Sequence, residues 1–144
     1  MTILVAMDLS VVSRRALDVV QRTFPREGLR VVILHVAEPE PEFVGWTAGP
    51  DAVRDQVARG FRQERRAIED MAAALRQAGI DAIGLTVQGA IVATVVAEAE
   101  RLGADLVAVG SHSHGPAYDL AVGSVSAGII RKSAVPVLVV PDRA

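Results

Sequence analysis

The 144-residue chain contains no cysteine. Disulfides, thiolate nucleophiles, iron–sulfur clusters and cysteine-ligated zinc are therefore excluded, and a reducing cytoplasm is the expected compartment. Aromatic residues make up only 3% of the chain, against 51% hydrophobic residues in all, so the core must be built from Val, Ala, Leu and Ile. Neither sign of charge dominates: 15 basic residues face 17 acidic ones, for a net charge of −2. The basic residues are scattered or interleaved with acids, as in Arg62-Gln63-Glu64-Arg65-Arg66. That pattern reads as a solvated helix face, and nucleic acid is not an expected partner. No apolar run approaches the ~18 residues of a membrane span. The segment Met1–Asp8 carries no basic leader and meets an acid at once, so a secretory signal is not expected.

What is present is an alternation of apolar runs and helical patterns. Near-continuous Val/Ile/Leu segments at Ile3–Met7, Val31–Val36, Ile83–Val87, Leu106–Val109 and Val137–Val140 predict strands covered on both faces. Helical spacing lies between them. Ser10 can cap a helix over Val11–Thr23, and a long helix over Asp51–Ala78 carries Val53, Val57, Phe61, Ile68, Met71 and Leu75. Gly79 stands where a left-handed stop belongs. A third helix over Ile91–Leu102 ends at Gly103, and a fourth begins at Ser124 and stops before Pro136. The order β-α-β-α-β-α-β-α-β predicts a single α/β domain over residues 1–144, with a parallel sheet and right-handed crossovers. Only Pro39–Pro50 reads as a true loop.

The most informative stretch is Leu106-Val107-Ala108-Val109-Gly110-Ser111-His112-Ser113, followed by Gly123-Ser124-Val125-Ser126. A buried strand ends in glycine, a loop of small and polar residues follows, and a Gly-Ser pair opens a helix. Small residues let an anion approach, while helix-start amides and hydroxyls donate to it, so the pattern suits a phosphate. In an open parallel sheet, ligands sit beyond the carboxyl ends of the strands where strand order reverses. Asp8, Val36, Gln88-Gly89 and Gly110 stand at those ends.

These segments resemble the universal stress protein family. The family motif Gly-x2-Gly-x9-Gly-[Ser/Thr] maps onto Gly110, Ser113, Gly123 and Ser124, with the spacing kept and serine in place of the second glycine. Val5-Ala6-Met7-Asp8-Leu9-Ser10, Leu34-His35-Val36, Val87-Gln88-Gly89 and Ser133–Val140 resemble further family segments. The resemblance implies a Rossmann-like open sheet of five parallel strands in the order 3-2-1-4-5, with helices on both faces. In one branch of the family it also implies ATP binding. A bound ATP can carry Mg²⁺ across its phosphates. Carried over by residue, Ala6, Asp8 and Val36 would line the adenine and ribose end, and Val109 and Gly110 would flank the ribose. Ser113, Gly123, Ser124, Val125 and Ser126 would hold the phosphates. The other branch lacks the glycine motif and does not bind ATP; Ser113 sets this sequence slightly between the two.

Each residue also has a plainer reading. Asp8, Ser124 and Ser126 suit helix starts as caps as well as ligand contacts. His35 reads as a satisfied strand histidine, and Trp46 as a local packing anchor. His112 and His114 lack the further ligands that zinc needs, so no metal site is expected. The chain has no P-loop and no nucleophile elbow. No lysine or arginine falls between Gly103 and Arg131 to neutralise a transferring phosphoryl group. The expected function is therefore a nucleotide-binding stress-response module rather than a catalyst, with hydrolysis at most slow and incidental. The alternative is a dimeric interaction protein of the same family that binds no nucleotide. In the implied order Val137–Val140 is an edge strand, apolar and bracketed by Pro136 and Pro141, which predicts a homodimer through its antiparallel pairing.

Overall fold

The computed structural model describes residues 1–38, 51–111 and 123–142, with backbone only for 51–55. Five strands alternate with four helices: β1 (Thr2–Ala6), α1 (Val11–Thr23), β2 (Arg30–Ala37), α2 (Asp51–Gln77), β3 (Asp81–Gln88), α3 (Ile91–Arg101), β4 (Leu106–Ser111), α4 (Ser124–Lys132) and β5 (Val137–Pro141). All neighbouring strands pair in parallel, in the order β3-β2-β1-β4-β5. This is the Rossmann-like α/β sheet expected from the sequence. The segment Pro39–Pro50 begins one residue beyond the described part of the β2 end and, with Trp46, lies outside the described residues.

Local chemistry explains the helix ends. The Ser10 hydroxyl accepts from the Ser13 N–H at 3.2 Å, capping α1 as the sequence suggested. Gly79 and Gly103 take φ of 82° and 58°, the left-handed conformation that stops α2 and α3 with little steric cost.

Two apolar layers sandwich the sheet. On one face Ile3, Val5, Val31 and Ile33 pack with Ala16, Leu17 and Val20 of α1 and with Ile68, Ala72 and Leu75 of α2. On the other face Leu4, Leu34, Val107 and Val109 pack with Val95 and Ala99 of α3 and Ile129 of α4. These strand residues are almost fully buried, as two-sided cover requires. The stripe expected along α2 is only partly core. Val57 is 38% exposed and Phe61 half-buried, because a 27-residue helix spans about 40 Å and overhangs eight-residue strands of roughly 26 Å. The overhang projects past the carboxyl ends of β2 and β3.

The two sheet edges differ. On β3 the Gly89 N–H following the strand donates to Ala37 of β2, so by strand alternation the even-numbered residues turn their carbonyls outward. Arg76 of α2 donates to one of these, Ala82 O, at 2.9 Å, and is itself paired with Glu69. On β5, Val137, Leu138 and Val139 are half-buried on a strand flanked by Pro136 and ending at Pro141.

Candidate functional site

Strand order reverses between β1 and β4, and a cavity of about 150 Å³ opens there. Its lining includes Ala6, Met7 and Asp8 from the end of β1 and its turn, with Leu34 and Val36 from β2. Val109 and Gly110 of β4, Ile91 and Val95 of α3, and Val125 of α4 close it. Six of the ten sequence-predicted site residues (Ala6, Asp8, Val36, Val109, Gly110 and Val125) therefore line one cavity. The walls are aliphatic, and Asp8 is the one charged group among the described lining residues.

The β1–α1 turn presents Asp8. Its Oδ1 accepts from the Ser10 N–H at 2.9 Å, so the aspartate braces the residue that caps α1 and is not itself the cap. Leu9 between them adopts φ 66°, a region that leucine rarely enters. Packing of Leu9 on the core and acceptance of the Arg14 Nε–H by its carbonyl hold that conformation.

Three of the remaining predicted residues, Gly123, Ser124 and Ser126, gather at the start of α4. Gly123 is the N-cap, so no side chain closes that helix end as Ser10 closes α1. Ser124 is exposed at the first helical position. Ser126 is 1% exposed, and its hydroxyl donates to Gly123 O at 2.9 Å, a bond internal to the first turn. Gly123 has φ −55° and ψ 157°, which any residue can adopt. Glycine there is thus not required by backbone strain. Ser113, His112 and His114 lie outside the described residues.

Two contributors had no clear signal in the sequence. Ser111, buried at the end of β4, accepts the Gly123 N–H on its hydroxyl at 3.2 Å and ties the start of α4 to the sheet. A second, wider groove of about 670 Å³ adjoins the cavity through Val36 and Ile91 and runs under the overhang of α2. His35, Glu38, Glu64 and Gln88 supply its polar lining, and Val57 and Phe61 its apolar wall. Its two carboxylates make that side unfavourable for an anion. Among the described residues, no group of three or more His, Asp or Glu is placed to hold a metal ion, and no helix is long and apolar enough to cross a membrane.

A sequence profile of the universal stress protein family matches residues 1–141. A universal stress protein of Thermus aquaticus, encoded beside a sulfhydrylase gene, is 30% identical over 142 residues, covering 96% of this chain and 97% of its own. The solved structure of hypothetical protein MJ0577 superposes with a TM-score of 0.80 at 26% identity, over 99% of this chain and 96% of that one. A universal stress protein family member from Arabidopsis thaliana, with AMP bound, shares the fold at a TM-score of 0.72 and 20% identity, over 100% and 93% of the two chains. A universal stress protein in complex with cAMP does so at 0.70 and 24%, over 98% and 96%. The profile match over nearly the whole chain and the Thermus relative together place this chain in the universal stress protein family.

Proposed function

We propose that this protein binds an adenine nucleotide, ATP carrying Mg²⁺ on its phosphates, in the β1–β4 crevice and works as a regulatory binding module rather than a catalyst. The observation that carries this reading is the convergence of Ala6, Asp8, Val36, Val109, Gly110 and Val125 on one cavity beside a helix start whose N-cap is glycine. Aliphatic walls suit the faces of a base, and Asp8 suits hydroxyls of a ribose. Main-chain N–H groups and the Ser124 hydroxyl at the start of α4 suit phosphates. Charge sets the direction of the ligand. The groove on the α2 side carries Glu38 and Glu64, so the phosphates belong at the opposite end, toward α4. AMP and cAMP in the two related structures support a nucleotide as the ligand class. Mg²⁺ would offset phosphate charge that this chain leaves without a lysine or arginine between Gly103 and Arg131. The same scarcity of cations supports a non-catalytic role.

Calorimetric titration of the purified protein tests the reading, with ATP plus Mg²⁺ and AMP in parallel. Saturable binding in the micromolar range is expected. No heat of binding at millimolar nucleotide would overturn it.

A second reading, a dimer that acts through protein partners without nucleotide, is favoured by a different observation. Val137, Leu138 and Val139 are incompletely covered on the β5 edge, and Ile130 of the adjacent α4 is 45% exposed. Antiparallel pairing of β5 with a second copy satisfies the open edge and is self-complementary under a two-fold axis. Light scattering should report about twice the monomer mass. Val139→Lys should shift the protein toward monomer by placing a charge in that seam, and an unchanged mass would refute pairing at β5.

A further inference from the structure

The site depends on how one peptide group is turned, and a residue outside the cavity holds it. Along β1 the main chain alternates between its neighbours: the carbonyl of Met1 accepts from Arg30 on the β2 side, and that of Thr2 accepts from Asp105 on the β4 side. Met7 continues the series, its N–H donating to Leu34 O at 2.8 Å. Its carbonyl also turns to the β2 side, where His35 Nδ1 lies 2.7 Å away. A main-chain oxygen can only accept, so Nδ1 carries the hydrogen of this bond. The peptide between Met7 and Asp8 is planar and trans, so its N–H points opposite to its C=O. Fixing the Met7 carbonyl on His35 therefore aims the Asp8 N–H toward β4, into the crevice where the strand order reverses. His35 is 7% exposed, and its Nε2 lies 3.3 Å from Glu64 Oε2 of α2, an acceptor that holds the ring from its other end when Nε2 carries a hydrogen as well.

We propose that His35 is the positioning residue of the nucleotide crevice: through the Met7 carbonyl it orients the Asp8 main chain that the ligand meets, and Glu64 links that orientation to α2. This rests on the nucleotide-binding reading above. It goes further by assigning ligand affinity to a side chain that is not itself part of the cavity lining and acts through Met7, which is. The charged and polar neighbours of the ring come from three elements: Met7 O at the end of β1, Glu64 on α2, and Thr86, its register partner on β3.

The test compares His35→Leu with His35→Asn. Leucine keeps bulk and loses both bonds, whereas the asparagine amide can place a donor where Nδ1 stands and so retain the bond to Met7. In the protein without ligand, the Asp8 amide resonance in a ¹⁵N-correlated spectrum should move in His35→Leu and return toward the wild-type position in His35→Asn. AMP affinity should fall about fivefold to tenfold in the leucine variant and recover to within about twofold in the asparagine variant. A merely structural role would lower the melting temperature of both variants and leave this affinity pattern absent. An unmoved Asp8 amide in His35→Leu, or equal AMP affinity of the two variants, would overturn the proposal. If the wild-type protein binds no AMP at all, the nucleotide reading fails, and the amide shift of the unliganded protein still decides whether His35 sets this peptide.

Discussion

Gly110→Val should destabilise the protein by at least about 1–3 kcal/mol, the usual cost of forcing extra carbons into a packed core. At position 110 even a single Cβ would stand 2.8 Å from Val12 Cγ1, 2.9 Å from the Val12 carbonyl carbon and 3.0 Å from its oxygen. Two of those three atoms are backbone, so relief requires α1 to back away from β4. A branched side chain at the same place adds two methyl groups to the clash. Because α1 starts directly after Asp8 and Ser10, the displacement carries the ligand corner with it. A drop of several degrees in the midpoint of thermal unfolding, followed by circular dichroism, is the expected result. A midpoint within one degree or so of wild type would show that α1 has slack in its seating.

Gly123→Val should do the opposite: nearly spare the fold and abolish nucleotide binding. The backbone at 123 has negative φ and extended ψ, open to valine, and exchange at an N-cap costs on the order of 1 kcal/mol or less when the starting residue is glycine. The added branched side chain instead stands beside the α4 amides proposed to meet phosphate. Affinity for ATP should fall by at least roughly 100-fold in calorimetric titration while the unfolding midpoint moves little. Binding that survives in this variant would remove phosphate recognition from the start of α4.

The two glycines also show how far the sequence can be read. Both were placed at the ligand by their spacing, and both do stand at the crevice end of the sheet. The role of Gly110 as the seat of α1 depends on Val12, close in space yet nearly a hundred residues away in the chain, and spacing has no access to that contact. Strand and helix order were legible because covered strands leave unbroken apolar runs and because Ser10, Gly79 and Gly103 mark helix ends. The apolar runs understate the length of β2 and β3. β2 and β3 extend to Arg30 and Asp81, where the two side chains form an ion pair at 2.6 Å, and ladder pairing continues through residues that look like loop. Leu9 gave no sign of its left-handed φ, since the signal normally comes from glycine or asparagine. His35 was legible as a satisfied strand histidine. Its partners were not, because Met7 O and Glu64 meet it only through tertiary packing. Ser111 looks like a loop residue in the sequence, because its bond to Gly123 exists only when β4 and α4 are brought together.

The unequal edges of the sheet give the molecule a valence. Arg76 occupies the Ala82 carbonyl on the β3 edge and is braced there by Glu69, so a chain arriving at β3 must first displace a guanidinium. Among the described residues the β5 edge carries no such guard, only a proline before it and a proline at its end that limit the length of any pairing. A body with one receptive edge can join one neighbour by that route. In the proposed dimer, two such bodies joined edge to edge would have consumed what they had to offer, and growth would stop at a pair instead of running on into a fibre.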